Sequence, residues 1–321
     1  MLIRKQTYGI QAINQSSYEE AIHNYTRPGG CHDQLLKCQD KLRKIRPEGL
    51  SIRSEAGEPG ICSDILDEWC DGTGERLFEQ NNNARFDITH PKADPFPPPH
   101  MIGYLTQASV LEALGSPVNF SLYSPPVSKS FDATKDGIHG GFLDAIAYLL
   151  DTGVKVHMMY GDRDFACNWV GGETASLAVP YSRQDEFKKA GYTPLISSKG
   201  HGGETRQFGN YSFTRVFQAG HMIPSYQPEA AYAVFMRALF NKDIATGKKT
   251  VHDGLSTKGP SSVFHIKTEV QKAPKPKCYI LAPESCEKEE WKKVTSGDAT
   301  IKDYFLVNDS EESEGPDNGE L

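Results

Sequence analysis

The sequence has 321 residues, 38% of them hydrophobic, and a formal net charge of −7. This length allows one large domain or two, and the acidic balance gives no basic surface for nucleic acid. No run of about 18 apolar residues is present, so the sequence predicts no membrane contact and suits a soluble extracellular or vacuolar protein.

Residues 1–130 are predicted to form a helical insertion followed by an extended connector. The expected elements, in chain order, are a polar helix within 1–25, two helices between Cys31 and Cys70 separated by a break at 46–49, a short strand at 86–89, a polyproline segment at 94–99 and a helix at 106–114. None of these short elements identifies a fold by itself.

Four cysteines fall within the predicted insertion. Cys31 and Cys38 are seven positions apart, and Cys62 and Cys70 are eight apart. A zinc ribbon needs about two to four residues between paired ligands, so this spacing favours disulfides in an oxidising compartment. Four cysteines allow three pairings, and their spacing does not choose among them.

Residues 131–247 show the alternation of helices and strands that is typical of an α/β domain. The predicted elements are a helix from Phe142 that ends at Gly153, strands at 154–160, 193–197, 205–211 and 213–218, and a helix at 228–239 with proline at its start. Residues 248–321 form a third segment, in which the acidic end at 308–321 is expected to be disordered. Cys278 and Cys286 can close a small disulfide loop there, which leaves Cys167 as the free thiol.

Polar residues follow two of these predicted strands. Asp162 and Asp164 come directly after the strand at 154–160, and His221 follows the strand at 213–218. An acid and then a histidine, each after a strand, is the order of an α/β-hydrolase triad. The serine that precedes them in such enzymes sits on a Gly-x-Ser-x-Gly turn, and no serine in this sequence has glycine both two positions before and two after it.

The residues around this acid and histidine resemble the C-terminal half of serine carboxypeptidases, the family of carboxypeptidase Y, and most closely its fungal secreted members. The motifs that carry the resemblance are Tyr160–Trp169 (YGDRDFACNW), Gly220–Met222 (GHM), Arg27–Cys31 (RPGGC), Asp94–Pro98 (DPFPP) and Phe235–Phe240 (FMRALF). The likeness runs from about Tyr8 to Gly247 and implies the C-terminal half of an α/β-hydrolase fold with a disulfide-tied helical insertion.

The resemblance implies roles for individual residues. Asp164 is the triad acid and His221 the base, Cys167 and Met222 line the substrate site, and Asp162 is left as a turn residue. The nucleophilic serine is absent, and the family's nucleophile motif would lie before Met1.

The same resemblance implies a nested pairing of the insertion's cysteines, with Cys31–Cys70 outside and Cys38–Cys62 inside. The sequence has neither a His-Glu-x-x-His motif nor a phosphate-binding glycine loop, so no metal site and no cofactor are expected.

Glycosylation sequons agree with secretion. They begin at Asn14, Asn24, Asn119, Asn210 and Asn308, and the first four are predicted glycosylation sites. The N-terminus has no apolar signal-peptide core, so we expect a signal to have been lost together with an N-terminal half of the fold. Secretion or a vacuolar location is therefore expected.

The sequence predicts a serine-type carboxypeptidase that releases C-terminal residues from peptides through an acyl-enzyme. We expect the 321-residue chain to be inactive alone, with peptide substrates and the missing N-terminal half of the same fold as its partners. One alternative is a secreted binding protein that has lost catalysis. Another is an esterase or acyltransferase on the same scaffold, since the acid and base alone do not choose the substrate.

Overall fold

The computed structural model describes residues 8–11, 13–45, 62, 65–70, 73–74, 78–79, 81–92, 100–134, 140–271 and 277–307. The predicted break at 46–49, polyproline segment at 94–99 and acidic end at 308–321 lie outside these residues. The chain forms two compact units, one of residues 1–95 and 129–271 and one of residues 96–128 and 272–321. The predicted boundaries after residues 130 and 247 stay a prediction. No described helix is both long enough and apolar enough to cross a membrane.

The first unit contains the sheet and most of the helices. Its elements are α1 (Gln15–Thr26), α2 (Cys31–Ile45), a π-helix (Ile65–Cys70), β1 (Asn83–Ala84), β2 (Asp87–Pro91), α6 (Phe142–Asp151), β3 (Val156–Gly161), α7 (Trp169–Ala178), α8 (Gln184–Lys189), β4 (Tyr192–Ser197), β5 (Gly200–Phe208), β6 (Tyr211–Val216), α9 (Ile223–Tyr226) and α10 (Pro228–Leu239).

The second unit contains short elements. They are α3 (His100–Leu105), α4 (Ala108–Ala113), a 3₁₀ turn (Pro283–Ser285), α11 (Lys288–Ser296), β7 (Ile301–Lys302) and β8 (Phe305–Leu306). Helix α5 (Pro125–Thr134) spans the chain boundary between the two units. The predicted small loop is closed by a disulfide between Cys278 and Cys286.

Four strands of the first unit form one mixed sheet in the order β3-β6-β5-β4. β3 and β6 are parallel, whereas β5 is antiparallel to both of its neighbours. β6 reads Tyr-Ser-Phe-Thr-Arg-Val, and every residue in it is buried. Because β3 and β6 are parallel, their carboxyl ends lie at the same edge of the sheet, and the loops that leave them start side by side.

The main core packs around β3 and β6. Its largest members are aromatic, and they include Trp169, Phe187, Tyr192, Tyr211 and Phe213. A second cluster, with Leu195 and Val234, packs α10 against β4. The predicted α/β class is confirmed by this arrangement of a mixed sheet with packed helices.

The cysteines of the insertion form the nested pairs that the resemblance implied. Cys31 is bonded to Cys70 and Cys38 to Cys62, so both disulfides tie α2 to the chain around the π-helix. Cys38 and Cys62 are buried together with Ile65. The second of the two helices predicted between Cys31 and Cys70 is present as the π-helix at Ile65–Cys70.

Candidate active site

The predicted acid and base lie on the two adjacent loops that leave β3 and β6. Asp164 is three residues beyond the end of β3, and His221 is five beyond the end of β6. The Nδ1 atom of His221 lies 2.7 Å from the Oδ2 atom of Asp164, which is a short hydrogen bond between two groups that are 57 residues apart in the chain. The structure therefore brings together the two residues that the resemblance paired.

Main-chain contacts hold the two loops against each other. The amide of Arg163 donates to the carbonyl of Ala219 at 2.8 Å, and the amide of Asp162 donates to that of Val216 at 3.0 Å. Gly161 lies at the closest approach, where an added Cβ atom would be 2.4 Å from the carbonyl oxygens of both Ala219 and Gly220. The absence of a side chain at Gly161 is thus a condition for this spacing.

The two side chains differ in their access to solvent. Asp164 is buried, with 3% of its side chain exposed, whereas the His221 side chain is 41% exposed. A buried carboxylate that accepts from Nδ1 keeps the proton on that nitrogen and leaves the lone pair of Nε2 for chemistry. No described residue hydrogen-bonds to Nε2. The arrangement is therefore that of an oriented general base.

The hairpin of β1 and β2 contacts both loops, which the sequence did not predict. The amide of His221 donates to the carbonyl of Phe86 at 2.9 Å, and the amides of Phe165 and Ala166 donate to the carbonyl of Arg85. The Phe86 and His221 rings lie 4.8 Å apart between centroids. Residues 86–89 were predicted only as a short strand. The alternation of side chains along a strand does not indicate which loops the strand will contact.

Cys167 lies beside the acid and base. Its sulfur, one carboxylate oxygen of Asp164 and one ring nitrogen of His221 all lie within 4.8 Å of one another. Cys167 is exposed and is not in a disulfide. Partial burial of the sulfur, and to a lesser extent the Asp164 carboxylate, raise the pKa of the Cys167 thiol. The thiolate that a nucleophile requires is therefore disfavoured. This agrees with a neutral wall residue, which stays a prediction.

Met222 follows the base directly, and 43% of its surface is exposed. Met222 lies directly before α9, in the same loop as His221. Its contact with substrate stays a prediction.

Asp162 lies in the turn that follows β3, as expected, but its carboxylate bonds to distant segments of the chain. It is buried, and its carboxylate lies 3.3 Å from the Arg215 guanidinium across the β3–β6 pair. It also accepts from the Tyr8 hydroxyl at 2.5 Å and from the Gln218 amide at 3.0 Å. Burial raises the pKa of Asp162 to about 6, while Arg215 opposes that shift. The spacing of residues in the sequence does not reveal these bonds of Asp162, because the partners come from distant segments.

Two residues that follow the acid, Asn168 and Trp169, support the loop. Asn168 caps α7 by accepting from the amide of Gly171 at 2.7 Å. Trp169 is buried and packs against the guanidinium of Arg215, whose central carbon lies 4.2 Å from the ring centroid.

Two other histidines lie outside this pair. His157 lies in β3 with its Nδ1 atom 2.8 Å from the Ser212 hydroxyl, and burial lowers its pKa to about 3. His201 lies in β5, where Nε2 is 2.9 Å from a Glu204 oxygen.

The four predicted glycosylation sites differ in their surroundings. Asn14 caps α1 and Asn119 is exposed, whereas Asn24 lies within α1 and is partly buried. The Asn210 amide donates to the carbonyls of Leu150 and Val154, at 3.2 and 2.9 Å. Glycosylation at each of them stays a prediction.

Residues 2–241 match the profile of a family described as serine carboxypeptidase. The chain is 44% identical to Carboxypeptidase S1 homolog A of Arthroderma otae over 97% of its own length and 48% of that protein. It is 38% identical to a Carboxypeptidase Y homolog of Arthroderma benhamiae, over 95% of its length and 49% of that protein. The chain thus spans about half the length of the curated relatives that it matches.

Among solved structures, the chain is similar to that of Kex1(delta)p, a prohormone-processing carboxypeptidase from Saccharomyces cerevisiae. The TM-score is 0.43 at 15% sequence identity, over 71% of this chain and 52% of that chain. The family profile, which covers three quarters of the chain, confirms the predicted resemblance and with it the α/β-hydrolase class of the fold.

Proposed function

Because the chain belongs to the serine carboxypeptidase family, we propose that Asp164 and His221 are the acid and base of a triad that releases C-terminal residues from peptides. The single observation that carries this proposal is the 2.7 Å hydrogen bond between a buried carboxylate and an imidazole that is open to solvent. Among the described residues, this pair lies at the edge of the sheet where the parallel strands β3 and β6 end.

The chemistry follows from the free nitrogen of His221. Nε2 accepts the proton of a serine hydroxyl as that oxygen bonds to the peptide carbonyl carbon, and the imidazolium then gives the proton to the leaving amine as the C–N bond breaks. Water attacks the resulting ester in the same way and releases the shortened peptide. Asp164 keeps the imidazole oriented and stabilises its positive charge while the proton is on Nε2.

The serine in this scheme comes from another segment. No serine of the 321 residues sits in the Gly-x-Ser-x-Gly pattern that α/β-hydrolases use. We therefore propose that the 321-residue polypeptide does not hydrolyse peptides alone, and that a segment equivalent to the other half of its relatives completes the site. Without the nucleophile, the base cannot form the acyl-enzyme, and only the small rate increase that comes from binding the substrate remains.

The proposed location is secreted or vacuolar. Three disulfides are present among the described residues, and such bonds persist in oxidising compartments.

The test is complementation. The 321-residue polypeptide is assayed on a blocked dipeptide alone and after mixing or fusion with the part of the Arthroderma otae relative that does not align with it. We expect no turnover alone and turnover after complementation. His221→Gln should abolish the restored activity, whereas His252→Gln, at an exposed histidine outside the site, should not.

Three results would contradict the proposal. They are turnover by the polypeptide alone, failure of both the mixture and the fusion to hydrolyse the dipeptide, and restored activity that survives His221→Gln.

A further inference from the structure

One buried carboxylate lies beneath both loops of the candidate site. Asp87 is the first residue of β2, and only 1% of its surface is exposed. Its Oδ1 atom accepts from the amide of Thr89 at 2.8 Å and from the hydroxyl of Thr89 at 2.6 Å. These bonds fix Oδ1 within its own strand, whereas Oδ2 lies 3.8 Å from Nε2 of His90 in that strand and also faces groups outside it.

On the acid side, Oδ2 of Asp87 faces the residue next to Asp164. It lies 3.8 Å from Nη1 of Arg163, whose side chain is 3% exposed. The guanidinium of Arg163 also donates to the side chain of Gln218 and to the carbonyl of Gln271. A buried ion pair has little competition from water, so loss of one partner leaves an uncompensated charge in the interior.

On the base side, the phenol of Tyr226, the last residue of α9, lies near the Asp87 carboxylate. Burial, and next the Asp87 carboxylate, raise the pKa of Tyr226, which keeps its hydroxyl protonated as a donor. This hydroxyl lies directly under the base loop, because a Cβ atom added to Gly220 would be 2.7 Å from it. The same added atom would be 2.4 Å from the carbonyl of Phe86, which accepts from the amide of His221.

We infer that Asp87 is a positioning residue that sets the distance between Asp164 and His221, by pairing with Arg163 of the acid loop and fixing the hairpin whose Phe86 carbonyl accepts from the amide of His221. The inference rests on the roles proposed above for Asp164 and His221. Asp87 touches neither of them in a hydrogen bond, so it acts through the two loops.

A purely structural role makes a different prediction, and the chain offers a matched control. Asp243 is also buried, and its Oδ1 atom likewise accepts from the amide and hydroxyl of one threonine, Thr246. Unlike those of Asp87, its partners Thr246 and Lys249 lie away from the two loops. Asp87→Asn and Asp243→Asn therefore remove the same charge from similar surroundings, and only the first should change the site.

The readout is the imidazole proton on Nδ1 of His221 in the 321-residue chain. With ¹⁵N-labelled histidine, its low-field resonance is assigned by its absence in His221→Gln. We expect Asp87→Asn to shift this resonance upfield or lose it to exchange with water, and Asp243→Asn to leave it unchanged. Tyr226→Phe should shift it in the same direction by less, whereas Tyr232→Phe, at an exposed tyrosine, should not.

Circular dichroism shows which variants fold. If Asp87→Asn folds and its resonance is unchanged, or if Asp243→Asn removes the resonance as well, the inference is overturned. If Asp87→Asn does not fold, Tyr226→Phe decides, and an unchanged resonance in that variant overturns it. None of these measurements needs turnover. A negative result here can therefore be distinguished from a negative result in the complementation assay, which tests the proposed function.

Discussion

Replacement of Gly161 by alanine tests whether the spacing of the two loops determines the acid–base pair. A Cβ atom at position 161 would lie 2.4 Å from the carbonyl oxygens of Ala219 and Gly220, about 1 Å closer than ordinary van der Waals contact. Both oxygens belong to the main chain, so relief requires the base loop to move away from β3. Alanine is the smallest side chain that produces this effect.

The structure gives the size of the effect. A displacement of about 1 Å would lengthen the bond from Asp164 to His221, now 2.7 Å, beyond the range of a hydrogen bond. We expect the Nδ1 resonance of His221 to be lost, and the free energy of unfolding to fall by about 1–3 kcal/mol, as for other overpacked sites. In the complemented enzyme, a misplacement of this size should cost about 10²-fold in rate.

Urea denaturation and the same NMR experiment provide the assay. Gly74→Ala is the control, because an added Cβ atom there has no heavy atom within 4 Å, and its effect on stability should stay within about 0.5 kcal/mol. If Gly161→Ala keeps both the resonance and the stability of the parent chain, the close approach of the loops is not what positions the pair.

Three further predictions concern the acid Asp164, the buried carboxylate of Asp162 and the disulfides of the helical insertion. Asp164→Asn in the complemented enzyme should lower kcat by about 10⁴-fold, and a loss of less than tenfold would exclude Asp164 as the triad acid. Because burial raises the pKa of Asp162 to about 6, the folded state binds the proton more tightly, and the stability that Asp162 contributes should fall by about 2 kcal/mol as the pH rises from 4 to 7. A difference in the free energy of unfolding between Asp162→Asn and the parent chain that stays constant from pH 4 to 7, measured in urea, would contradict it. Replacing Cys38 and Cys62 together by alanine should lower the free energy of unfolding by about 3 kcal/mol, because the bridge closes a loop with a sequence separation of 24; an unchanged urea midpoint would argue against this.

The central strands were predicted because they depend on local signals, whereas the choice of Asp164 over Asp162 as the partner of His221 came from the resemblance. The strand predicted at 154–160 is β3 at Val156–Gly161, and the helix predicted at 228–239 has those bounds. An error occurred at the strand predicted at 205–211, because Gly209 and Asn210 connect two strands. Phe208 pairs with Tyr211 across this turn, and Gly209 has a φ of 53°.

The parts that could not be predicted depend on contacts between distant segments. The partners of Asp162 lie more than 50 residues away, at Arg215 and Gln218, or at the other end of the chain, at Tyr8. Burial of a carboxylate is likewise a tertiary property, so Asp87 could not be distinguished in the sequence from a surface aspartate in a short strand.

The position of β3 has a consequence for handling the protein. It is the outermost strand of its sheet, with β6 on one side and no strand on the other among the described residues. Five of its six residues are only partly buried, whereas β6 is buried throughout. Amides and carbonyls along an open flank of this kind can bond to a second copy, which starts aggregation. Repulsion from the net charge of −7 opposes that association, and added salt screens the repulsion, so the chain should stay dispersed best in dilute, low-salt buffer.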